Sequence, residues 1–526
     1  MQMTQETLGD LFGRAGRRFA GNIAVTAVGK ERTFAEVVDN GWRLARALRD
    51  RGLEPGATVA AMLGNRVESL EVYVGLALGG YIAVHVNDRL AAPEVDYVLS
   101  DSGASAMIHT DGLSSVAAEL SSVEGLAAWF AIDASPPDGA TAYDEALAAA
   151  DATPMAIDRS SGDIALIGYT SGTTGFPKGV LVSHRAVVNC IRLVPYAYQL
   201  PLQGHAAYPG GWSFVSCLWG VIFPHFYTGG TVAFMPGATA DEWGRHMVEH
   251  ESTFTLALTQ LIPRLLAALK AHPEALRFLQ TVLHSGGPLP RELAERLVGA
   301  VGDRFVETWG MTEVVAPITI ANRSDWTGRS DARDILASVG RPLPTASVRV
   351  VDSGGSPVPD GHVGELVIEA DTMFSGYHNQ PEKTASVLRD GEYYTGDLGY
   401  RDEAGYFYVT GRAQDLIISG GANVYPAEVE RILLLMDEIA DVAVFGLTDD
   451  RWGEAVSAAV VRSPGADIDA DAVRDFACRW LAGYKKPVNV FFVDELPLNA
   501  SMKVMKHVLE KRFGQLTHAG ANGASR

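Results

Sequence analysis

The sequence predicts an α/β protein: a large N-terminal domain of α/β subdomains with a small β-rich unit, followed by a small mobile α+β C-terminal domain. Three observations carry this expectation. Between Leu8 and His109, apolar β-rich segments alternate with segments of helical periodicity, the pattern of a parallel sheet with helices on its faces. From Val339 the texture changes to short strands and turns. Beyond Gly411–Asp415 a separate α+β pattern begins, so we expect domains at 1–413 and 414–526. A chain of 526 residues also exceeds what one hydrophobic core organises.

The elements follow in order. Ile23–Val28 reads as a strand and Phe34–Leu48 as a helix ending near Gly52. Thr58–Leu63, Glu68–Leu78, Ile82–Val86, Glu94–Ser100 and Ala106–His109 continue the strand and helix alternation. Pro136–Ala140 and Pro154–Gly162 are loop-like, and a second α/β stretch runs from Asp163 to Leu336. Val348–Val351, Gly364–Glu369 and Tyr406–Thr410 are the short strands of the β-rich unit. In the C-terminal part, Pro426 suits a first helical turn, with Val429, Ile432, Leu433 and Met436 on one apolar face. Strands are expected at Val442–Leu447, Val456–Val461 and Val488–Val493, and a disordered Gly/Ala/Ser-rich tail from Thr517. No period of 20 to 50 residues recurs, which excludes a solenoid.

Charge and composition narrow the function. The net charge is −20, from 63 acidic and 43 basic residues, so the surface repels phosphate backbones and anionic lipids. Nucleic acid and polybasic membrane binding are therefore not expected. Cys190, Cys217 and Cys478 are far apart and lack metal-ligand spacing; with no signal peptide after Met1, they point to a reduced, cytoplasmic protein. The apolar runs Tyr73–Val86 and Leu218–Met235 are too short or too interrupted to span a bilayer and read as buried core.

The most specific feature is the run Thr170, Ser171, Gly172, Thr173, Thr174, Gly175, Phe176, Pro177, Lys178, Gly179 after the apolar segment Ile164–Gly168. Glycines let backbone N–H groups approach a phosphate, hydroxyls add donors, and Lys178 adds positive charge. The spacing is not that of a Walker loop, since no Ser or Thr follows Lys178. The run resembles the phosphate loop of the adenylate-forming superfamily, which holds acyl-CoA synthetases, peptide-synthetase adenylation domains and beetle luciferases. The resemblance extends from about Leu8 to Leu509 and is closest to acyl-CoA synthetases.

The resemblance implies a role for each further motif. In Ser285-Gly286-Gly287-Pro288-Leu289 the backbone packs against adenine. In Glu307-Thr308-Trp309-Gly310-Met311-Thr312-Glu313, Trp309 stacks on adenine where the family more often has Tyr. Thr312 contacts the α-phosphate and Glu313 holds Mg²⁺, a task that suits carboxylate oxygen. Glu307 and Thr308 are grouped with the nucleotide site. Asp397 accepts the ribose hydroxyls, Arg412 reaches ribose or phosphate, and Gln414 stands at the hinge where Asp or Lys is usual. Gly420 and Gly421, in Ser419–Pro426, line the pantetheine tunnel of coenzyme A ligases; by itself the segment also reads as a turn leading into a helix. Lys503 takes the place of the catalytic lysine, although Met502 precedes it where Gly is usual; Lys506 is the substitute candidate.

The acyl pocket is expected beside Trp309, with walls from Tyr208–Phe214 (Trp212 and Phe214 among them), Gln260, Gly310, Met311 and Val315. Many family members carry Pro-x-x-His in the first of these; here Gly210, Gly211 and aromatics replace it and imply room for a bulky apolar acid. No Arg or Lys lies in these segments to pair a second carboxylate, Arg264 being the nearest in sequence, so a dicarboxylate is disfavoured. The expected reaction uses ATP, Mg²⁺ and coenzyme A: a small-molecule carboxylic acid forms acyl-AMP, and domain rotation then admits the thiol. The alternatives are loading of a carrier-protein arm, a luciferase-like oxygenase, and a non-catalytic AMP-binding module. A homodimer is compatible with the sequence.

Overall fold

In the computed structural model, residues 6–132, 135–170, 177–287, 289–326, 335–449, 451–499 and 503–521 are described. They form two compact units: Met1–Ser347 with Glu369–Tyr393, and Val348–Ile368 with Tyr394–Arg526. The short β-rich segments around 348–368 and 394–412 thus group with the C-terminal part of the chain. The boundary expected at 413/414 rests on the change of sequence pattern beyond Gly411–Asp415 and does not coincide with this division.

The first unit contains two large sheets. In one, Ile23–Ala27, Thr231–Phe234, His205–Tyr208, Phe254–Leu256, Thr281–His284 and Phe305–Met311 run parallel as neighbours, with antiparallel strands at both edges. In the other, Thr58–Met62, Ile82–Val86, Ala106–Thr110, Ala128–Ile132 and Ile164–Thr170 belong to a parallel set, continued antiparallel by Lys178–Ser183 and Gly376–Tyr377. Such sheets need apolar cover on both faces. Trp243, Met247, Leu265 and Leu297 form one such layer, and Val95, Val98, Leu99 and Met107 another.

Local chemistry sets the helices. Thr33 caps Phe34–Asp50 and Thr239 caps Ala240–Glu249, each through a reciprocal box with Glu36 or Glu242. The helix Val67–Leu78 is buried along its whole length, two glutamates included. Glu71 is held by Arg32 at 2.8 Å, Asn40 at 2.9 Å and the Tyr143 hydroxyl at 3.3 Å. Burial pushes its carboxyl above the usual range against these donors. A buried charge is tolerated when it is paired in this way.

In the second unit, Phe407–Arg412 pairs antiparallel with Glu392–Arg401. A further sheet joins Ile417–Ser419, Ala422–Val424, Ile439–Asp449, Gly453–Arg462 and Asn489–Val493. The helix Pro426–Leu433 buries Val429 and Leu433 against it, the apolar face read from the sequence. The helix Lys506–Ala521 runs into the segment from Thr517 that the sequence predicts as a disordered tail. Residues 522–526 lie outside the described residues. Among the described residues no helix is long and apolar enough to cross a membrane.

Five histidines of the first unit, three buried and two half-buried, are held neutral. Burial lowers His85, His184, His225 and His246 to about 4, and His205 to about 3. Their folded values lie below the unfolded value, so on acidification the unfolded chain binds protons first. We predict that stability falls as pH drops from about 6.5 toward 4, the range between unfolded and folded values. Urea midpoints measured across that range check this.

Candidate active site

The phosphate-loop motif is the connection of a β-hairpin. Ile164–Thr170 pairs antiparallel with Lys178–Ser183, and Thr170 lies opposite Lys178. Ser171, Gly172, Thr173 and Thr174 lie outside the described residues. Lys178 Nζ lies 5.6 Å from the ring centre of Tyr377, within cation–π range.

Two residues before Thr170 stands Gly168. A Cβ there would lie 3.1 Å from the Val215 side chain and 3.4 Å from Thr312 Cγ2. Three segments therefore meet at this glycine: the strand entering the phosphate loop, the turn carrying Thr312, and the segment that follows Phe214. Thr312 and Glu313 occupy the turn between Phe305–Met311 and Ala316–Ala321. Glu313 is half-buried; its Oε1 accepts from the Tyr377 hydroxyl at 2.9 Å and its carbonyl from Phe374 N–H at 2.8 Å. Val315 closes the turn with φ +51° and is fully buried, which makes it part of the packing. Trp309, Gly310 and Met311 are half-buried at the end of their strand.

Glu307 and Thr308, placed in the nucleotide site by motif, are buried in the first unit. The Glu307 carboxylate is 2.7 Å from His284 Nδ1, and His284 Nε2 lies 3.0 Å from Thr259 Oγ1. Burial raises the Glu307 carboxyl while His284 opposes the shift. His284 ends the strand that leads to Gly286 and Gly287, which are exposed, with Gly286 at φ +89°. The buried pair thus anchors the strand ends that present Gly286 and Trp309. Pro288 lies outside the described residues, and Gln260 is exposed in the turn Thr259–Leu261.

The segment expected to wall the acyl pocket divides. Trp212 is buried between Tyr73 (ring centres 5.4 Å, 5° apart in plane) and Phe234 (5.0 Å), a core aromatic stack. Phe214 is half-buried. A Cβ on Gly210 would lie 2.7 Å from the Tyr208 hydroxyl, so that glycine makes room for the Tyr208 ring. Gly211 is different: the nearest atoms to a Cβ there are at 3.6 Å. Arg264 is exposed and donates to the Ala238 carbonyl at 3.1 Å.

In the second unit, Asp397 lies opposite Arg412 in the hairpin register, and Arg412 Nε meets its Oδ1 at 2.8 Å. Asp397 is buried, and its N–H donates to Thr395 Oγ1 at 2.9 Å. Gln414 is exposed in the turn Ala413–Asp415. Gly420 and Gly421 form the two-residue loop of a hairpin, with φ +58° and +80°, the positive values a type I′ turn requires. The helix begins only at Pro426. Lys503 is exposed, and its backbone exchanges hydrogen bonds with Asn499. Lys506 is committed to Glu430 at 2.7 Å, which separates it from Lys503.

Sequence reading missed Gly168, His284 and Tyr377. A histidine ending an apolar strand before a glycine pair was the available signal for the second; the third acts across 64 residues.

This fold and its ordered motifs are those of an adenylate-forming enzyme. The chain belongs to the AMP-binding enzyme family: its model matches residues 12–378, and that of the AMP-binding enzyme C-terminal domain matches 428–503. It is an AMP-forming acid–thiol ligase in class. Feruloyl-CoA synthase of Amycolatopsis sp is 35% identical over 525 residues, covering 97% of this chain and 100% of the relative. A fatty acid–[acyl-carrier-protein] ligase of Streptomyces coeruleorubidus is 30% identical, covering 93% of each. ATP-bound MatB from Rhodopseudomonas palustris has a TM-score of 0.86 at 30% identity, covering 97% of this chain and 99% of that one.

The close approach at Gly168 is testable. Gly168→Val should press on Val215 and Thr312 and weaken ATP binding roughly ten- to hundredfold, from ~1–3 kcal/mol of overpacking. Calorimetric ATP titration checks this, with the circular dichroism spectrum confirming the fold.

Proposed function

We propose that this enzyme activates a bulky hydrophobic monocarboxylic acid with ATP and transfers the acyl group to coenzyme A. The observation that carries the reading is the meeting at Gly168 of the phosphate-loop strand, the Thr312–Glu313 turn and the segment after Phe214. A carboxylate and an α-phosphate must be held next to one another for the first step. Arg264, bonded to a backbone carbonyl, leaves the mono-acid reading in place. Feruloyl-CoA synthase among the relatives supports an apolar, ring-bearing acid.

The carboxylate attacks the α-phosphorus, a P–O bond forms, and pyrophosphate leaves with the electrons of the bond that breaks. Lys503 stabilises the charge that develops in this step. The coenzyme A thiolate then attacks the acyl carbon and AMP departs. Thr170, Lys178 and the loop residues between them cradle the phosphates, Trp309, Gly286 and Gly287 receive the adenine, and Asp397 with Arg412 holds the ribose. Met311, Gly310, Phe214 and Gly211 bound the acid. We assign Lys503 to adenylation and Gly420–Gly421 to thiol transfer, with the chain turning about Gln414 between them.

Mg²⁺ fits the residues present. Among the described residues no group of three His, Cys, Asp or Glu is set for a metal. Mg²⁺ on a nucleotide needs no such cage: one carboxylate, phosphate oxygens and water suffice. Glu313, half-buried and fixed by a hydrogen bond, offers that carboxylate and would help neutralise the phosphate charge.

A second reading, transfer to a carrier-protein thiol, is favoured by the similarity to a fatty acid–[acyl-carrier-protein] ligase. Product formation with free coenzyme A, over aliphatic, aryl and polycyclic acids, tests the first reading. We expect acid-dependent ATP–pyrophosphate exchange and a thioester with the free thiol; exchange without that thioester favours the carrier.

Two substitutions sharpen this. Lys503→Ala should slow adenylation ~10²–10³-fold and leave thioester formation from supplied acyl-AMP largely intact; equal losses in both half-reactions would contradict the assignment. Gly211→Leu should lower kcat/KM for large acids about ten- to hundredfold relative to small ones. A uniform loss would remove Gly211 from the pocket.

A further inference from the structure

Tyr377 stands outside every motif read from the sequence, yet it touches two of them. It ends the strand Gly376–Tyr377, which pairs with Lys178–Ser183 so that Tyr377 lies opposite Val180. Its hydroxyl donates to Glu313 Oε1 at 2.9 Å, and its ring centre is 5.6 Å from Lys178 Nζ. The residue is buried and its own placement is fixed on two sides. Its N–H donates to Thr384 Oγ1 at 2.9 Å, and Phe374 packs edge-on against its ring at 5.1 Å. Phe374 N–H in turn donates to the Glu313 carbonyl at 2.8 Å. One short segment therefore grips Glu313 by backbone and side chain while its aromatic face meets the phosphate-loop lysine.

We infer that Tyr377 is a positioning residue for the nucleotide site, orienting the Glu313 carboxylate through its hydroxyl and the Lys178 ammonium through its ring. The inference rests on the reading of Glu313 as the group that holds the cation of ATP. A carboxylate with a rotatable stem loses side-chain freedom when it takes a cation. A hydrogen bond that already fixes one oxygen removes part of that loss and leaves the other oxygen aimed. The ring does the same for a lysine, whose stem is long and flexible. The two contributions are separable because they belong to different parts of one side chain. Tyr377→Phe removes the hydroxyl alone; Tyr377→Leu removes the ring as well.

The experiment is calorimetric titration of ATP into the full-length protein, with Mg²⁺ and separately with EDTA, for wild type, Tyr377→Phe, Tyr377→Leu and Glu313→Gln. We expect Tyr377→Phe to bind ATP about tenfold more weakly with Mg²⁺, the order of one hydrogen bond to a charged group, and unchanged with EDTA. It should also need a higher Mg²⁺ concentration for half-maximal enhancement of binding. Tyr377→Leu should lose affinity in both conditions, because the lysine contact does not depend on the metal. Equal weakening of Tyr377→Phe with and without Mg²⁺, or none, would overturn the inference while Glu313→Gln still loses its Mg²⁺ response. If Glu313→Gln keeps the wild-type Mg²⁺ response, the reading of Glu313 falls, and the inference with it.

Discussion

The missing side chain at Gly168 is the constraint on which the rest of the first unit's site depends. A Cβ at this position would already stand 3.1 Å from Val215 and 3.4 Å from Thr312. The bare backbone lets the phosphate-loop strand, the Thr312 turn and the segment after Phe214 meet closely, and side chains larger than a methyl at this position would crowd Val215. The hairpin register extends the arrangement outward, since Thr170 opposite Lys178 sets where the loop leaves and returns. The parallel strands behind it end together, as expected for an α/β sheet that binds its ligand outside the carboxyl ends of its strands.

Charge pairing sorts the polar residues around this frame. Glu307 belongs to His284 in the interior, and Lys506 belongs to Glu430. The buried Glu307 needs its partner to be tolerated, whereas Lys506 and Glu430 form a half-buried pair. Glu313 and Lys178 both also meet Tyr377, the first through its hydroxyl and the second through its ring. Asp397 and Arg412 form an intermediate case: a buried carboxylate beside an exposed guanidinium, in adjacent strand positions. A pair half in solvent can exchange part of its contact for a ligand at little cost.

Much of the proposed site could be named from the sequence because its motifs are continuous in the chain. The phosphate loop, the Thr312–Glu313 turn, Asp397 and the Gly420–Gly421 loop each announce themselves through residue types that special backbone or phosphate chemistry requires. The parallel-sheet architecture was legible for the same reason, from alternating periodicities. Contacts set by strand register were not. His284 meets Glu307 because two parallel strands align them, and Tyr377 reaches Glu313 from a strand of two residues. Local composition also could not tell wall from core: Trp212 and Gly210 look like pocket residues but serve Tyr73, Phe234 and Tyr208.

The central claim is that a carboxylate attacks the α-phosphorus of ATP at this site. Isotope transfer tests it most directly. A substrate acid labelled with ¹⁸O in both carboxylate oxygens is turned over with ATP and coenzyme A, and the phosphorus products are analysed by mass spectrometry. The account predicts one ¹⁸O in AMP and none in pyrophosphate, because the attacking oxygen stays on the α-phosphorus when the acyl group leaves. Label in inorganic phosphate, with ADP as the nucleotide product, would contradict it.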